Sequence, residues 1–160
     1  FTTLSTTTRK IILRNSEVLI SDTVGFISRL PAYMVQAFKS TLEELIYTDV
    51  VIVVIDINDT ELELRKKFKS CISTLDEIGV NKDKMIFVLN KSDLISKEEV
   101  SERAIQLDLT NNRKWLAISS VTGFNIAQLK TLIYQALDNA PSTEKKNEIP
   151  RPEIKINYED

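Results

Sequence analysis

The sequence predicts an α/β fold: three layers, with a mostly parallel sheet covered by helices on both faces. Three observations carry this. Continuous apolar runs stand at residues 50–55, 85–89 and 115–118, the pattern of strands buried on both faces. Segments with apolar residues at helical spacing lie between them. Capping signatures mark where several of those segments begin. Strands alternating with helices imply a mostly parallel sheet, because each helix carries the chain back to the end where the previous strand began.

The elements follow in order. Residues 10–13 and 18–21 read as two short strands joined around Asn15-Ser16 as a hairpin. Leu30-Pro31 opens a helix running to about Thr48, with Val35, Phe38, Leu42, Leu45 and Ile46 on one face. Residues 50–55 form the first buried strand. Thr60-x-x-Glu63 is a capping box for the next helix, whose stripe is Leu64, Phe68, Cys71, Ile72, Leu75 and Ile78, and Gly79 ends it. Residues 85–89 form the second buried strand. Ser96-x-x-Glu99 caps a short helix through Leu107. Residues 115–118 are the last strand. Asn125-x-x-Gln128 starts a final helix with Ile126, Leu129, Leu132, Ile133 and Leu137 inward. From Pro141 the chain is polar, with three prolines and mixed charges. The expected organisation is one domain over 1–140 and a tail or linker over 141–160.

Composition narrows the function classes. A hydrophobic content of 42% and a charged content of 28% describe an ordinary globular protein. A net charge of −2 offers no global attraction to nucleic acid or anionic lipid, so no DNA partner is expected. The absence of histidine removes Ser-His-Asp and Cys-His catalysis and any Cys/His zinc site. The single cysteine, Cys71, excludes an internal disulfide and suits a reducing compartment such as the cytoplasm. No apolar run approaches the ~18 residues of a membrane span, and no signal peptide is visible.

Ligands in parallel sheets bind at the carboxyl ends of the strands. Three clusters stand at such ends. Asn90-Lys91-Ser92-Asp93 follows the run Met85-Ile86-Phe87-Val88-Leu89. There Asp93 would accept two hydrogen bonds from guanine, one from its ring N–H and one from its exocyclic amine. Adenine presents a lone pair at the ring position and leaves the carboxylate unpaired. Such paired polar recognition discriminates by roughly 10⁴-fold or more. Lys91 would lay its alkyl stem along the base, and Asn90 would tie the loop to its neighbours. The same four residue types also make ordinary turns.

Asp22-Thr23-Val24-Gly25 closes the strand at 18–21. In phosphoryl chemistry the aspartate of such an Asp-x-x-Gly holds magnesium, and the glycine brings a bare N–H to the terminal phosphate. Ser119-Ser120-Val121-Thr122-Gly123 closes the last strand, where the Ser120 N–H could meet the guanine oxygen. Ahead of the first strand lie Thr2-Thr3 and Thr6-Thr7-Thr8, any of which could offer a hydroxyl to magnesium. Each cluster alone also fits an ordinary loop. Together they stand in the one order that a GTP-binding switch domain requires.

At these residues the chain resembles the HflX-type GTPases of the Obg–HflX group of translation-associated P-loop GTPases. Phe1-Thr2-Thr3-Leu4-Ser5-Thr6-Thr7-Thr8-Arg9-Lys10-Ile11 is similar to that family's first switch segment. Ser21-Asp22-Thr23-Val24-Gly25-Phe26-Ile27, followed by Leu30-Pro31, is similar to its second. Ala37-Phe38-Lys39-Ser40-Thr41-Leu42-Glu43-Glu44 continues the likeness, which covers roughly residues 1–140. The resemblance implies a Ras-like G domain, GTP or GDP as ligand, Mg²⁺ as cofactor, and the large ribosomal subunit as partner. It assigns Thr3, or alternatively Thr2, and Asp22 to magnesium, and Gly25 to the γ-phosphate. It assigns Asn90, Lys91, Asp93, Ser119 and Ser120 to guanine.

Two departures qualify that expectation. Many small GTPases place a water-orienting glutamine after the Asp-x-x-Gly glycine. Here the position is Phe26, whose ring cannot hydrogen-bond water, so intrinsic hydrolysis is expected to be slow, with the missing group supplied by another segment or by the ribosome. Arg29 is close enough to consider but fits a solvated charge better.

The second departure is that the chain holds only Gly25, Gly79 and Gly123, so it contains no Gly-x-x-x-x-Gly-Lys-Ser/Thr phosphate loop. The family carries that loop after a central strand, and the expected place for both is before Phe1. Without that strand, the strands at 18–21 and 50–55 would face a gap roughly 5 Å wider than pairing allows. The three glycines therefore leave two expectations. One is a GTP-hydrolysing switch whose phosphate loop lies in a longer chain, with residues 1–160 inactive alone. The other is a non-catalytic interaction module.

Overall fold

The structure is a computed structural model that describes residues 7–22, 44–111 and 113–140. Its first strands are β1 (Thr7–Leu13) and β2 (Ser16–Asp22). They pair antiparallel from Thr7 opposite Asp22 to Leu13 opposite Ser16. The turn between them is Arg14-Asn15, both left-handed at φ 45° and 67°, the handedness that matches the twist of a two-residue hairpin.

Three parallel strands follow: β3 (Val51–Asp56), β4 (Met85–Asn90) and β5 (Lys114–Ala117), in the order β3-β4-β5. The hairpin and this sheet share no ladder among the described residues, which accords with a gap between β2 and β3. Central β4 is buried at five consecutive residues, Met85 to Leu89, because both of its faces are covered.

One face packs against α1 (Glu61–Glu77) and α2 (Lys97–Gln106). Val51, Val53, Phe87 and Leu89 from the strands meet Leu64, Cys71 and Leu75 from α1 and Ala104 from α2. The other face packs against α3 (Ile126–Asp138), where Ile86, Val88 and Ile118 meet Ile126, Leu129, Leu132 and Ile133. Burying each such aliphatic side chain stabilises the fold by about 1.5–3 kcal/mol before entropy is counted. Val54, on the same β3 face as Ile52, stays 63% exposed.

The helix ends follow local chemistry. Thr60 Oγ1 accepts the Glu63 N–H at 3.4 Å, opening α1. Gly79, at φ 82°, closes it in a Schellman arrangement. Its N–H meets the Asp76 carbonyl and the Val80 N–H meets the Leu75 carbonyl, each at 3.0 Å. At α2 the capping box is complete: Ser96 Oγ accepts from Glu99 N–H, and Glu99 Oε2 accepts from Ser96 N–H at 3.0 Å.

Two expectations need correction. Asn125 precedes α3 but does not cap it. It sits left-handed at φ 58°, and its amide donates to the Ala117 carbonyl at 2.9 Å, so a tertiary bond displaces the local one. Of the helix expected over 30–48 only the last residues are described, and Glu44–Tyr47 among them form a short 3₁₀ turn. Residues 30–43 lie outside the described residues, as does the tail 141–160.

Candidate functional site

The carboxyl ends of β4 and β5 bring two of the predicted loops together. Asn90, half-buried at the end of β4, accepts with one oxygen from two backbone donors, Lys91 N–H at 2.8 Å and Ser120 N–H at 3.1 Å. Ser92 adds two more ties, its N–H at 3.1 Å and its hydroxyl at 2.9 Å both reaching the Ile118 carbonyl. The Asn90–Asp93 loop is thereby fastened to the end of β5 before any ligand arrives.

The second loop is closed on itself. Ser119 is fully buried, and its Oγ accepts from Thr122 N–H at 3.1 Å. Its carbonyl accepts from Gly123 N–H at 3.0 Å, and Gly123 takes φ 80°, which glycine adopts without strain. Asn125 ties the loop's far side to β5 through Ala117.

Lys91 is left-handed, at φ 65° and ψ 30°. Its ammonium pairs with Asp56 at the end of β3. Asp93 lies in the 3₁₀ turn Ser92–Leu94, exposed. Its carboxylate has no hydrogen bond or ion pair among the described residues, and each ionised oxygen is an acceptor. The Ser120 N–H, expected to face a guanine oxygen, is instead donated to Asn90. A ligand oxygen there would share that donor or displace the bond.

The other predicted residues are placed less fully. Asp22 ends β2, exposed, opposite Thr7. No hydrogen bond or ion pair joins it to the two loops among the described residues. Thr2, Thr3, Gly25, Phe26 and Arg29 lie outside the described residues. Magnesium takes oxygen ligands and is commonly held by one or two protein groups together with phosphate oxygens. An exposed carboxylate at a strand end, as Asp22 presents, has the chemistry for that role.

Asp56 belongs to the site but carries no signal in its own sequence position, and Ser92, though inside a motif, has a role that the motif does not state. Each acts across the sheet, Asp56 on Lys91 and Ser92 on Ile118. Only the strand register, with Asp56 opposite Asn90, brings Asp56 within reach.

The model of the 50S ribosome-binding GTPase family matches residues 1–91. The GTPase HflX of Thermofilum pendens is 34% identical over 137 residues, covering 86% of this chain and 32% of that protein. The GTPase HflX of Methanocaldococcus jannaschii is 37% identical over 140 residues, covering 86% and 34%. The chain thus spans about a third of the length of these relatives. Among solved structures, a GTP-binding protein from Sulfolobus solfataricus in complex with GDP superposes with a TM-score of 0.71 at 30% identity, covering 82% of this chain and 44% of that one. The fold is that of a Ras-like G domain, with a parallel three-stranded sheet.

Proposed function

The chain belongs to the 50S ribosome-binding GTPase family and is of the HflX type, and from that membership we propose that it is the guanine-reading and switch part of a protein that converts GTP and water to GDP and phosphate. The observation that carries the reading is the pair of clamped loops at the ends of β4 and β5, with the Asp93 carboxylate exposed beside them. Asp93 reads the base by accepting from its ring N–H and amine. Asn90 holds the two loops in register. Lys91 provides an apolar stem beside the base plane, Ser120 stands on the opposite side, and the buried Ser119 holds the loop that carries it. A closed arrangement of this kind loses little entropy when the nucleotide enters.

Asp22, together with Thr3 or Thr2, would hold Mg²⁺, which when bound offsets charge on the phosphates. Gly25 meets the γ-phosphate with its N–H. The phosphate-cradling loop comes from residues of the whole protein outside 1–160, because the three glycines present cannot build it. With Phe26 in place of a water-orienting glutamine, intrinsic turnover is slow and rises when a partner supplies the missing group. The large ribosomal subunit is that partner and the cytoplasm the setting. Membership of the 50S ribosome-binding GTPase family supports the partner. No helix among the described residues is long and apolar enough to cross a membrane.

Titration of the whole protein with fluorescent GDP, against ADP as competitor, tests the reading. GDP should compete at least ~10³-fold better than ADP. Asp93→Asn should weaken GDP and admit the xanthine nucleotide, whose ring carbonyl accepts from the new amide. Equal competition by ADP and GDP would sink the proposal. Phe26 also favours a second reading, a non-catalytic interaction module that binds a partner without turnover. Phosphate release from the whole protein in the presence of large ribosomal subunits separates the two.

A further inference from the structure

Asp56 is the last residue of β3 and stands opposite Asn90 in the parallel register. Its Oδ2 receives the Lys91 ammonium, while its Oδ1 accepts the Asn58 N–H at 3.0 Å. The loop that follows is fixed from three sides. The Ile57 N–H donates to the Asn90 carbonyl at 3.0 Å. Arg103 of α2 donates to the carbonyls of Ile57 and Asp59, the latter at 2.6 Å. Lys67 of α1 pairs with Asp59 at 2.7 Å. Ile57 itself is fully buried. Asp56 is therefore a carboxylate on a rigid mount, aimed at the one residue of the Asn90–Asp93 loop with a long flexible side chain.

The pair does little for the fold. Its side chains are 49% and 35% exposed, and an ion pair in that setting is screened and contributes little stability. What it does fix is position. Lysine has four rotatable bonds, and a free stem loses that freedom when a ligand packs on it. With the backbone left-handed at one end and the ammonium tethered at the other, the Lys91 stem spans from the end of β4 to the end of β3 in advance.

We infer that Asp56 is a positioning residue of the guanine site, tethering Lys91 so that its alkyl stem forms a preset floor for the base. This rests on the guanine-reading function proposed above. Asp56 touches no nucleotide atom in this role; it acts through Lys91.

The test uses the whole protein and four variants: Asp56→Asn, Lys91→Met, the double variant, and Asp93→Asn. Fluorescent GDP is the probe, with xanthine nucleotide for the last variant, and thermal melting is followed in parallel. Asp56→Asn should bind GDP roughly 3- to 10-fold more weakly, the scale of one long side chain ordered on binding. Its melting temperature should match the parent's. In the Lys91→Met background the same change should cost less than about twofold, since there is no ammonium left to tether. An unchanged affinity in Asp56→Asn, or an equal loss with and without Lys91, would overturn the assignment. Loss of affinity in step with the melting temperature would overturn it too, since that marks a structural effect. If Asp93→Asn keeps full GDP preference, the guanine reading itself fails and Asp56's role goes with it. If Asp93→Asn switches to the xanthine nucleotide while Asp56→Asn is silent, only the assignment of Asp56 fails.

Discussion

Asn90 Oδ1 accepts the Ser120 N–H at 3.1 Å, joining two loops that lie thirty residues apart in the chain. The same oxygen accepts from Lys91 N–H at 2.8 Å. One amide oxygen thus sets both the path of its own loop and its distance from the neighbouring one. Strand pairing alone would leave that distance soft, because the ladder between β4 and β5 ends at Leu89 opposite Ala117. Ser92, bonded to the Ile118 carbonyl, is the second fastening. The two act in parallel, so both loops are held by side-chain bonds within the protein.

Asn90→Ala removes both acceptances and leaves two backbone donors to water. Each bond is worth about 1 kcal/mol in a half-buried setting. Guanine nucleotide affinity of the whole protein should fall by about an order of magnitude, more than the loss in Ser92→Ala, because Ser92 N–H still reaches Ile118 when the hydroxyl is gone. Fluorescent-GDP titration of the two variants gives the comparison. A weaker effect in Asn90→Ala than in Ser92→Ala would refute the view that Asn90 is the main fastening.

The strands and helices of this fold are readable in the chain because their signals are local. The run at 85–89 is apolar throughout, so it announces a strand covered on both faces, and the structure extends it only to Asn90. β3 runs to Asp56, one residue past its apolar run, since a polar side chain at a strand end still leaves its backbone free to pair. Asn125 misleads for the converse reason: its cap-forming chemistry is local, but the Ala117 carbonyl beside it offers a better partner. The candidate site divides the same way. Asn90-Lys91-Ser92-Asp93 and Ser119-Ser120 are legible as contiguous motifs. The tether from Asp56 to Lys91 crosses 35 residues, and nothing near Asp56 marks it.

Leu89 is fully buried and immediately precedes Asn90, so packing and site share one stretch of backbone. Leu89→Ala should cost about 2–5 kcal/mol by lost burial and a residual cavity. Leu62 on α1, 63% exposed, supplies the contrast: Leu62→Ala should change stability by less than about 0.5 kcal/mol. Urea unfolding of both variants measures this, and similar costs at the two positions would contradict the core described for this sheet.

Cys71 is buried on the inner face of α1, and burial pushes its thiol up from 9.0 to about 11. The folded state favours the neutral thiol. Its contribution is therefore fully present below the unfolded value near 9 and is lost as pH rises from there through about 11. Two consequences are measurable. At pH 8 the native thiol should react with a disulfide reagent at least ~100-fold more slowly than in urea, from its thiolate fraction alone. Between pH 8 and pH 10.5 the parent should lose more stability than Cys71→Ala does. A rapid native reaction at pH 8 would contradict the burial.

Arg14 couples the hairpin to α3. Its guanidinium lies 5.0 Å from the Tyr134 ring centroid, and it donates to Thr131 Oγ1 at 3.4 Å. This matters because the two sheets share no ladder among the described residues, so the hairpin that carries Asp22 relies on side-chain contacts for its seat. Arg14 is also left-handed, so most substitutions would strain the turn as well as remove the contact. Asparagine tolerates that backbone region and keeps the hairpin turn. Arg14→Asn should thus isolate the cation–π and hydrogen-bond contribution, about 0.5–1 kcal/mol at a partly exposed site. Hydrogen exchange should quicken by a few-fold at the β1 and β2 amides and stay unchanged in β4, whose protection comes from its two buried faces. If β4 exchanges faster to the same degree, Arg14 supports the whole domain, and the local role drawn from its contacts is wrong.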